Sequence, residues 1–263
     1  NYGKRFYGPS TLRKGIEYSR NLMTVRIAEQ LGLKKILKLS RDLDIYEDIP
    51  ELLSVSLGSA ETTLLNITSA YATFVNGGKK IKPILIDRIQ DRRGKTIFNS
   101  DNRECSGCDR YSQDDSKIPS IKSNYEQVIS EETAYQMTSI LEGVVKRGTG
   151  KKLRDLNVPI AGKTGTTNNN LDAWFIGFSK YYVAGVWIGY DDNTPLQGVT
   201  GGGLPADIWR NIMEEIHSDL TPTPLLVDRQ NRSSGRNKIN IAGEPSSLGT
   251  ILGKFFNNLF KSN

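Results

Sequence analysis

Ala161-Gly162-Lys163-Thr164-Gly165-Thr166-Thr167 sets an ammonium, three hydroxyls and two glycines on one short segment that follows Val158-Pro159-Ile160, which reads as a short apolar strand. Downstream, residues 172–178 and 181–190 are rich in β-branched and aromatic residues and read as the arms of a hairpin turning at Ser179-Lys180. The Lys-Thr-Gly triplet therefore lies on a sheet. On a strand, Lys163 and Gly165 point to one face and Thr164 and Thr166 to the other. The missing side chain of Gly165 leaves room beside the ammonium for the backbone of a ligand. A cation flanked by hydroxyls suits the capture of a carboxylate.

Other chemistries fit these residues less well. A Lys-Thr-Gly triplet can arise by chance. Gly162-Lys163-Thr164 could end a phosphate-cradling loop, but that loop needs a glycine five residues before Gly162, where Asn157 stands. It must also lead into a helix, and Gly165 followed by Asn168-Asn169-Asn170 makes a poor first turn. Histidine catalysis would rest on His217 alone, within a segment that reads as a packed helix, so the residue reads as packing or surface.

The chain has 263 residues, enough for one large core or a domain with appendages. Its net charge of +6 is spread over small groups such as Lys34-Lys35-Lys38 and Lys79-Lys80-Lys82, which read as solvated helix ends and loops. No basic stripe interleaved with aromatics points to nucleic acid. No run of about 18 apolar residues spans a membrane, and a start at Asn1 reads as a piece of something longer. Cys105 and Cys108 form a Cys-x-x-Cys in a polar loop, with no strand before it and no helix after it. Two cysteines cannot complete a four-ligand zinc site, which leaves a loop-stapling disulfide or a pair of free thiols.

The first third is helical in pattern. One helix begins at Ser19-Arg20-Asn21, with Ser19 a candidate N-cap, and ends at Gly32; Leu33 to Leu39 is a second apolar segment, and Thr63 to Phe74 a third helix. Pro83 to Gln90 reads as a strand and Thr96 to Phe98 as its return, followed by a surface insertion at about 99–124. Ser130 caps a helix with Glu131 and Glu132 in its first turn and Lys146-Arg147 in its last. A further helix follows Gly201-Gly202-Gly203, with Pro205 near its start and Ile208, Trp209, Ile212, Met213 and Ile216 on one face. Residues 1–218 read as one domain, 219–246 as a flexible linker, and 247–263 as an amphipathic tail helix that would dock on protein or lie on a membrane surface through residues 248–260.

With Tyr7-Gly-Pro-Ser-Thr-Leu-Arg-Lys-Gly15, Ser19-Arg20-Asn21, Ala70 to Gly78, Ala161 to Thr167, Asp172 to Gly177 and Ala184 to Asp191, the chain resembles the later part of the transpeptidase domain of class A penicillin-binding proteins, bifunctional peptidoglycan synthases of the 1A type. The resemblance covers roughly residues 1–217. It implies an α+β fold like that of serine transpeptidases and β-lactamases, an antiparallel sheet flanked by helices, here incomplete at its N-terminus. The Lys-Thr-Gly strand would edge the active site.

The implied roles are specific. Lys163, Thr164, Gly165 and Thr166 would form the pocket for the terminal carboxylate of a D-Ala-D-Ala stem peptide, and the backbone N–H of Thr166 would supply half of an oxyanion hole. Ser19 would relay a proton toward the leaving group, and Asn21 would hydrogen-bond the substrate's amide. A rival Ser-x-Asn copy stands at Ser100-Asp101-Asn102, but it lies in a polar insertion, whereas Ser19 and Asn21 sit in an apolar helix-forming segment. The resemblance implies β-lactams as inhibitors, stem peptides and a lipid-linked precursor as partners, no cofactor, and a place at the periplasmic face of the inner membrane.

One departure stands out. Family members attack with the serine of Ser-x-x-Lys, and no lysine in the chain has a serine three positions before it; Lys14 has Thr11 there. The expectation is that this serine, a glycosyltransferase domain and a membrane anchor all precede Asn1. The alternatives are a carboxylate-binding or scaffold homologue without turnover and, against the missing marks of a deacylating glutamate, a β-lactam hydrolase.

Overall fold

The computed structural model of the chain describes residues 7–108 and 119–226. Helices α1 (Leu12–Glu17), α2 (Asn21–Leu31) and α3 (Leu33–Asp42) come first, and α4 (Leu64–Val75) follows a 3₁₀ turn at Leu53–Leu57. Two small antiparallel ribbons form an arm: β1 (Arg88–Gln90) pairs with β2 (Thr96–Asn99), and β3 (Cys105–Ser106) with β4 (Ser120–Ile121). The arm rejoins the domain where Lys79 pairs with Gln127. Helix α5 (Glu131–Lys146), strands β5 (Ala161–Thr166), β6 (Asp172–Phe178) and β7 (Val183–Gly189), and helix α6 (Leu204–Ile216) complete the described part.

The central sheet is antiparallel in the order β5-β6-β7. Its register sets Lys163 opposite Ile176, Gly165 opposite Trp174, and Trp174 opposite Trp187, so these residues share a face. Farther along that face, Ala161 and Phe178 pack on Leu141 and Val144 of α5 and on Tyr71 and Phe74 of α4. The other face buries Phe175 and Val186 against Trp209 and Met213 of α6. Trp209 is fully buried, its ring edge-on to Phe175 at 5.1 Å, and its Nε1–H donates to the Ala184 carbonyl at 3.0 Å. Truncating such a side chain to alanine costs about 3–5 kcal/mol.

Local chemistry explains the long helices. Ser130 caps α5 by accepting from the Thr133 N–H at 3.1 Å, and Thr63 caps α4 by accepting from Asn66 at 3.1 Å. Glu131 and Glu132 lie at the positive end of α5 and Lys146 at the negative end. Pro205 opens α6, where its missing N–H costs nothing.

Several expectations need correction. Ser19 does not cap α2: Arg20 holds the N-cap position, without a side-chain bond, and Ser19 ends α1, a helix the periodicity had not separated. The strand expected from Pro83 forms only at Arg88–Gln90, where the short return strand pairs with it, and Leu85 stands 98% exposed. The insertion is not strandless, since Cys105 lies on β3, and the Cys105–Cys108 disulfide closes the turn after it. Residues 221–226, at the start of the stretch read as linker 219–246, pack on the domain: Leu225 is buried and Tyr181 Oη meets Thr223 Oγ1 at 2.6 Å. The rest of that stretch, and the tail at 247–263, lie outside the described residues. Among the described residues no helix is long and apolar enough to cross a membrane.

Candidate functional site

Ser19 sits where helix α1 stops. The Ser19 N–H donates to the Ile16 carbonyl at 3.2 Å and the Arg20 N–H to the Gly15 carbonyl at 2.8 Å. This pair of bonds is the Schellman ending of a helix, in which the residue after the cap takes the left-handed conformation, usually as glycine. Here a serine takes it, with φ of 51°. The backbone cost is of order 1 kcal/mol or more, and the result is an exposed hydroxyl on a bonded turn. Asn21 follows as the exposed first residue of α2.

Lys163 reaches this turn from β5, whose outer edge pairs with no described strand. Its Nζ donates to Ser19 Oγ and, at 2.9 Å, to the Thr164 carbonyl. An ammonium has three N–H groups, so one remains for a ligand. Burial brings the Lys163 pKa down from 10.5 to about 8, because a half-buried ammonium loses water that two neutral acceptors replace only in part. At neutral pH the ammonium still predominates and can only donate. Ser19 Oγ must then accept, and its own proton points away from Lys163.

The other strand residues face a different neighbourhood. Thr164 Oγ1 meets Thr149 Oγ1 at 2.6 Å, and Thr166 Oγ1 accepts from the Gly201 N–H at 3.0 Å. Gly201 lies so close to β5 that a Cβ there would reach 2.8 Å from the Gly165 nitrogen. The strand then turns back through a 3₁₀ turn at Asn168–Asn170, with Asn169 and Asn170 left-handed at φ of 62° and 55°, into β6 rather than into an α-helix. That path is incompatible with a phosphate loop.

The structure thus brings Ser19 and Lys163 into contact and keeps Thr164, Gly165 and Thr166 on the same strand, while the rival copy is elsewhere. Ser100 Oγ bonds Asp87 at 3.1 Å and Asn102 accepts from Asn124 at 3.3 Å, both within the arm. His217 is buried and bonds the Met213 carbonyl and Ser179 Oγ, each at 2.8 Å. Sequence reasoning missed Thr149 and Gly201, which touch the strand from loops. The glycine run 201–203 was a visible signal for the second; nothing local marked the first.

Residues 1–214 match the family described as penicillin binding protein transpeptidase domain. Penicillin-binding protein 1A of Rickettsia bellii is 42% identical over 230 residues, 86% of this chain and 29% of that protein. The protein of the same name from Pseudomonas aeruginosa is 30% identical over 269 residues, 88% of this chain and 33% of its own length. The chain therefore spans about a third or less of the relatives it matches. Among solved structures, penicillin-binding protein 1A from Haemophilus influenzae superposes with a TM-score of 0.71 at 26% identity, over 86% of this chain and 37% of that one. PonA1 from Mycobacterium tuberculosis, in complex with penicillin V, gives 0.68 at 21% identity over 85% of this chain and 60% of its own, a likeness of fold. The mixed helices and antiparallel sheet match penicillin-binding transpeptidase structures, and the chain belongs to the penicillin binding protein transpeptidase domain family.

Proposed function

We propose that the chain is part of a serine-type D,D-transpeptidase that cross-links peptidoglycan, within a bifunctional synthase at the periplasmic face of the inner membrane. The observation that carries this reading is the contact between Lys163 and the Ser19 hydroxyl on the open edge of the sheet. The nucleophile in this reading is the serine of a Ser-x-x-Lys motif on a segment N-terminal to the chain. That serine attacks the carbonyl of the penultimate D-Ala, and the terminal D-Ala leaves as its amine takes a proton. The resulting acyl group passes to the amine of a neighbouring stem peptide.

The chain's own residues divide the work. The third N–H of Lys163 holds the terminal carboxylate through a charge-assisted hydrogen bond. Thr164 holds the strand through Thr149, and Gly165 lets β5 lie close against Trp174, whose Cβ would stand 3.2 Å from a side-chain carbon at that position. Ser19 accepts from Lys163 and so offers its proton to the leaving amine. Asn21 binds the substrate's amide. Penicillin presents a carboxylate and a strained amide to the same groups and acylates the same serine.

The experiment is labelling with a fluorescent penicillin. The 263-residue chain, which holds no Ser-x-x-Lys, should form no adduct on intact-mass spectrometry. A protein that joins this chain to its upstream segment should form one, and Ser19→Ala or Asn21→Ala should slow acylation at least tenfold while Ser100→Ala and Asn102→Ala leave it near wild type. A stable adduct on the chain alone, or reversed sensitivities, would overturn the reading.

A further inference from the structure

Glu17 is a carboxylate with 3% exposure, two residues before Ser19. Burying a charge costs several kcal/mol unless it is well paired, and Glu17 is paired in a fork: Arg147 donates to it through Nε at 2.9 Å and Nη2 at 2.5 Å, with Arg13 Nη1 at 3.7 Å. Helix α5 makes room for the carboxylate with Gly143, where a Cβ would reach 2.7 Å from the Glu17 Cδ. The backbone is tied as well. The Thr149 N–H donates to the Glu17 carbonyl at 3.1 Å, and Thr149 Oγ1 meets Thr164 Oγ1 at 2.6 Å. One short segment, Arg147 to Thr149, therefore grips the end of α1 with a side chain and an N–H, and grips the Lys163 strand with a hydroxyl.

Ser19 has no packing of its own to hold it. It is exposed, its backbone is in a costly conformation, and the helix it ends is only six residues long. A short, strained turn keeps one geometry only when its surroundings impose it. We infer that Glu17, Arg147 and Thr149 form a positioning joint that sets the Ser19 hydroxyl against Lys163. These residues touch neither substrate nor the reacting atoms; they act through the turn and the strand. The inference builds on the reading of Ser19 as the proton relay, but the joint itself can be tested without turnover.

In the 263-residue chain, amide hydrogen exchange followed by NMR reads the turn directly. Arg147→Ala removes both bonds of the fork and should speed exchange at Ser19 and Arg20 by about tenfold or more, with the amides of β6 unchanged. Arg147→Lys keeps the charge but not the fork, and should fall between. If the turn and β6 speed up together, or neither changes, the joint does not act on Ser19. The near-isosteric Thr149→Val guards against a variant that fails to fold. In the longer, acylating protein it should slow the first-order acylation step about tenfold with less than a twofold change in reversible penicillin binding, and Thr149→Ser should restore the rate. A loss that Thr149→Ser does not restore, or one confined to binding, would overturn the role of Thr149. If the longer wild-type protein does not acylate at all, the transpeptidase reading fails, and the exchange experiment still decides the joint.

Discussion

Lys163 meets two conflicting demands, since it must be charged to hold a carboxylate yet stands where charge is costly. With a folded pKa of about 8 against 10.5 for the ordinary side chain, the native state gives up this proton first. Between those values the unfolded chain holds more protons, so stability should rise with pH across that window. Carboxylate capture should fall over the same range, because the ammonium is lost. Chemical denaturation at pH 7 and 10 should show the rise in wild type and not in Lys163→Met; parallel behaviour would place the lowered pKa elsewhere. In the acylating protein, Lys163→Ala should cost about 1.5–3 kcal/mol, or about tenfold to hundredfold in acylation rate. Ser19 carries strain instead of charge. Ser19→Gly suits the left-handed turn, so it should be at least as stable as wild type, by up to about 1 kcal/mol, although it deletes the hydroxyl. Ser19→Ala should bring no such gain, and equal melting temperatures for the two variants would contradict a strained Ser19.

At the scale of elements, the β6–β7 hairpin and α6 are pinned to each other by His217. Its Nδ1–H donates to the Met213 carbonyl, which can only accept, so Nε2 accepts the Ser179 hydroxyl proton. Ser179 Oγ in turn accepts from the N–H groups of Tyr181 and Tyr182, each at 3.1 Å, which closes the hairpin turn. This serine and histidine are a structural staple; Ser179 is 1% exposed and far too enclosed to attack a substrate. Burial holds the His217 pKa below its ordinary 6.5, against the pull of the Met213 carbonyl. Below about pH 6.5 the unfolded chain therefore takes up a proton that the native state resists. The stability contributed by neutral His217 is present above that pH and lost as pH falls below it. Thermal melts at pH 7.5 and 5.5 should show a smaller loss in His217→Gln than in wild type. Equal losses would show that His217 does not set the acid limit.

At the scale of the molecule, the sheet with α4, α5 and α6 forms the core, while the arm between Lys79 and Gln127 is built of ribbons that pair within themselves. The Cys105–Cys108 disulfide belongs to that arm and spans a separation of three residues. Its loop-closure contribution is small and is not shared with the core. Cys105→Ser with Cys108→Ser should shift the melting temperature by less than about 2 °C, whereas Trp209→Ala should cost about 3–5 kcal/mol and unfold the domain many degrees lower. A large shift on losing the disulfide would show that the arm and core melt as one unit.

The sheet hairpin, the Lys-Thr-Gly strand, helix α4 and the capped helix α5 were legible in the residues themselves. Alternation along a strand and caps at helix ends are short-range rules, satisfied within a few positions of the chain. The α+β class came from the family resemblance that these residues carry. The Ser19 turn was misread because a serine before a helix ordinarily caps it; only the bonds back to Gly15 and Ile16 reveal that it ends the previous helix. The reach of Lys163 to Ser19, the fork of Arg147 on Glu17 and the bridge from Thr149 to Thr164 join residues 144, 130 and 15 positions apart. Such pairings depend on how helices pack on a sheet, and no local pattern encodes a contact that exists only once that packing has formed.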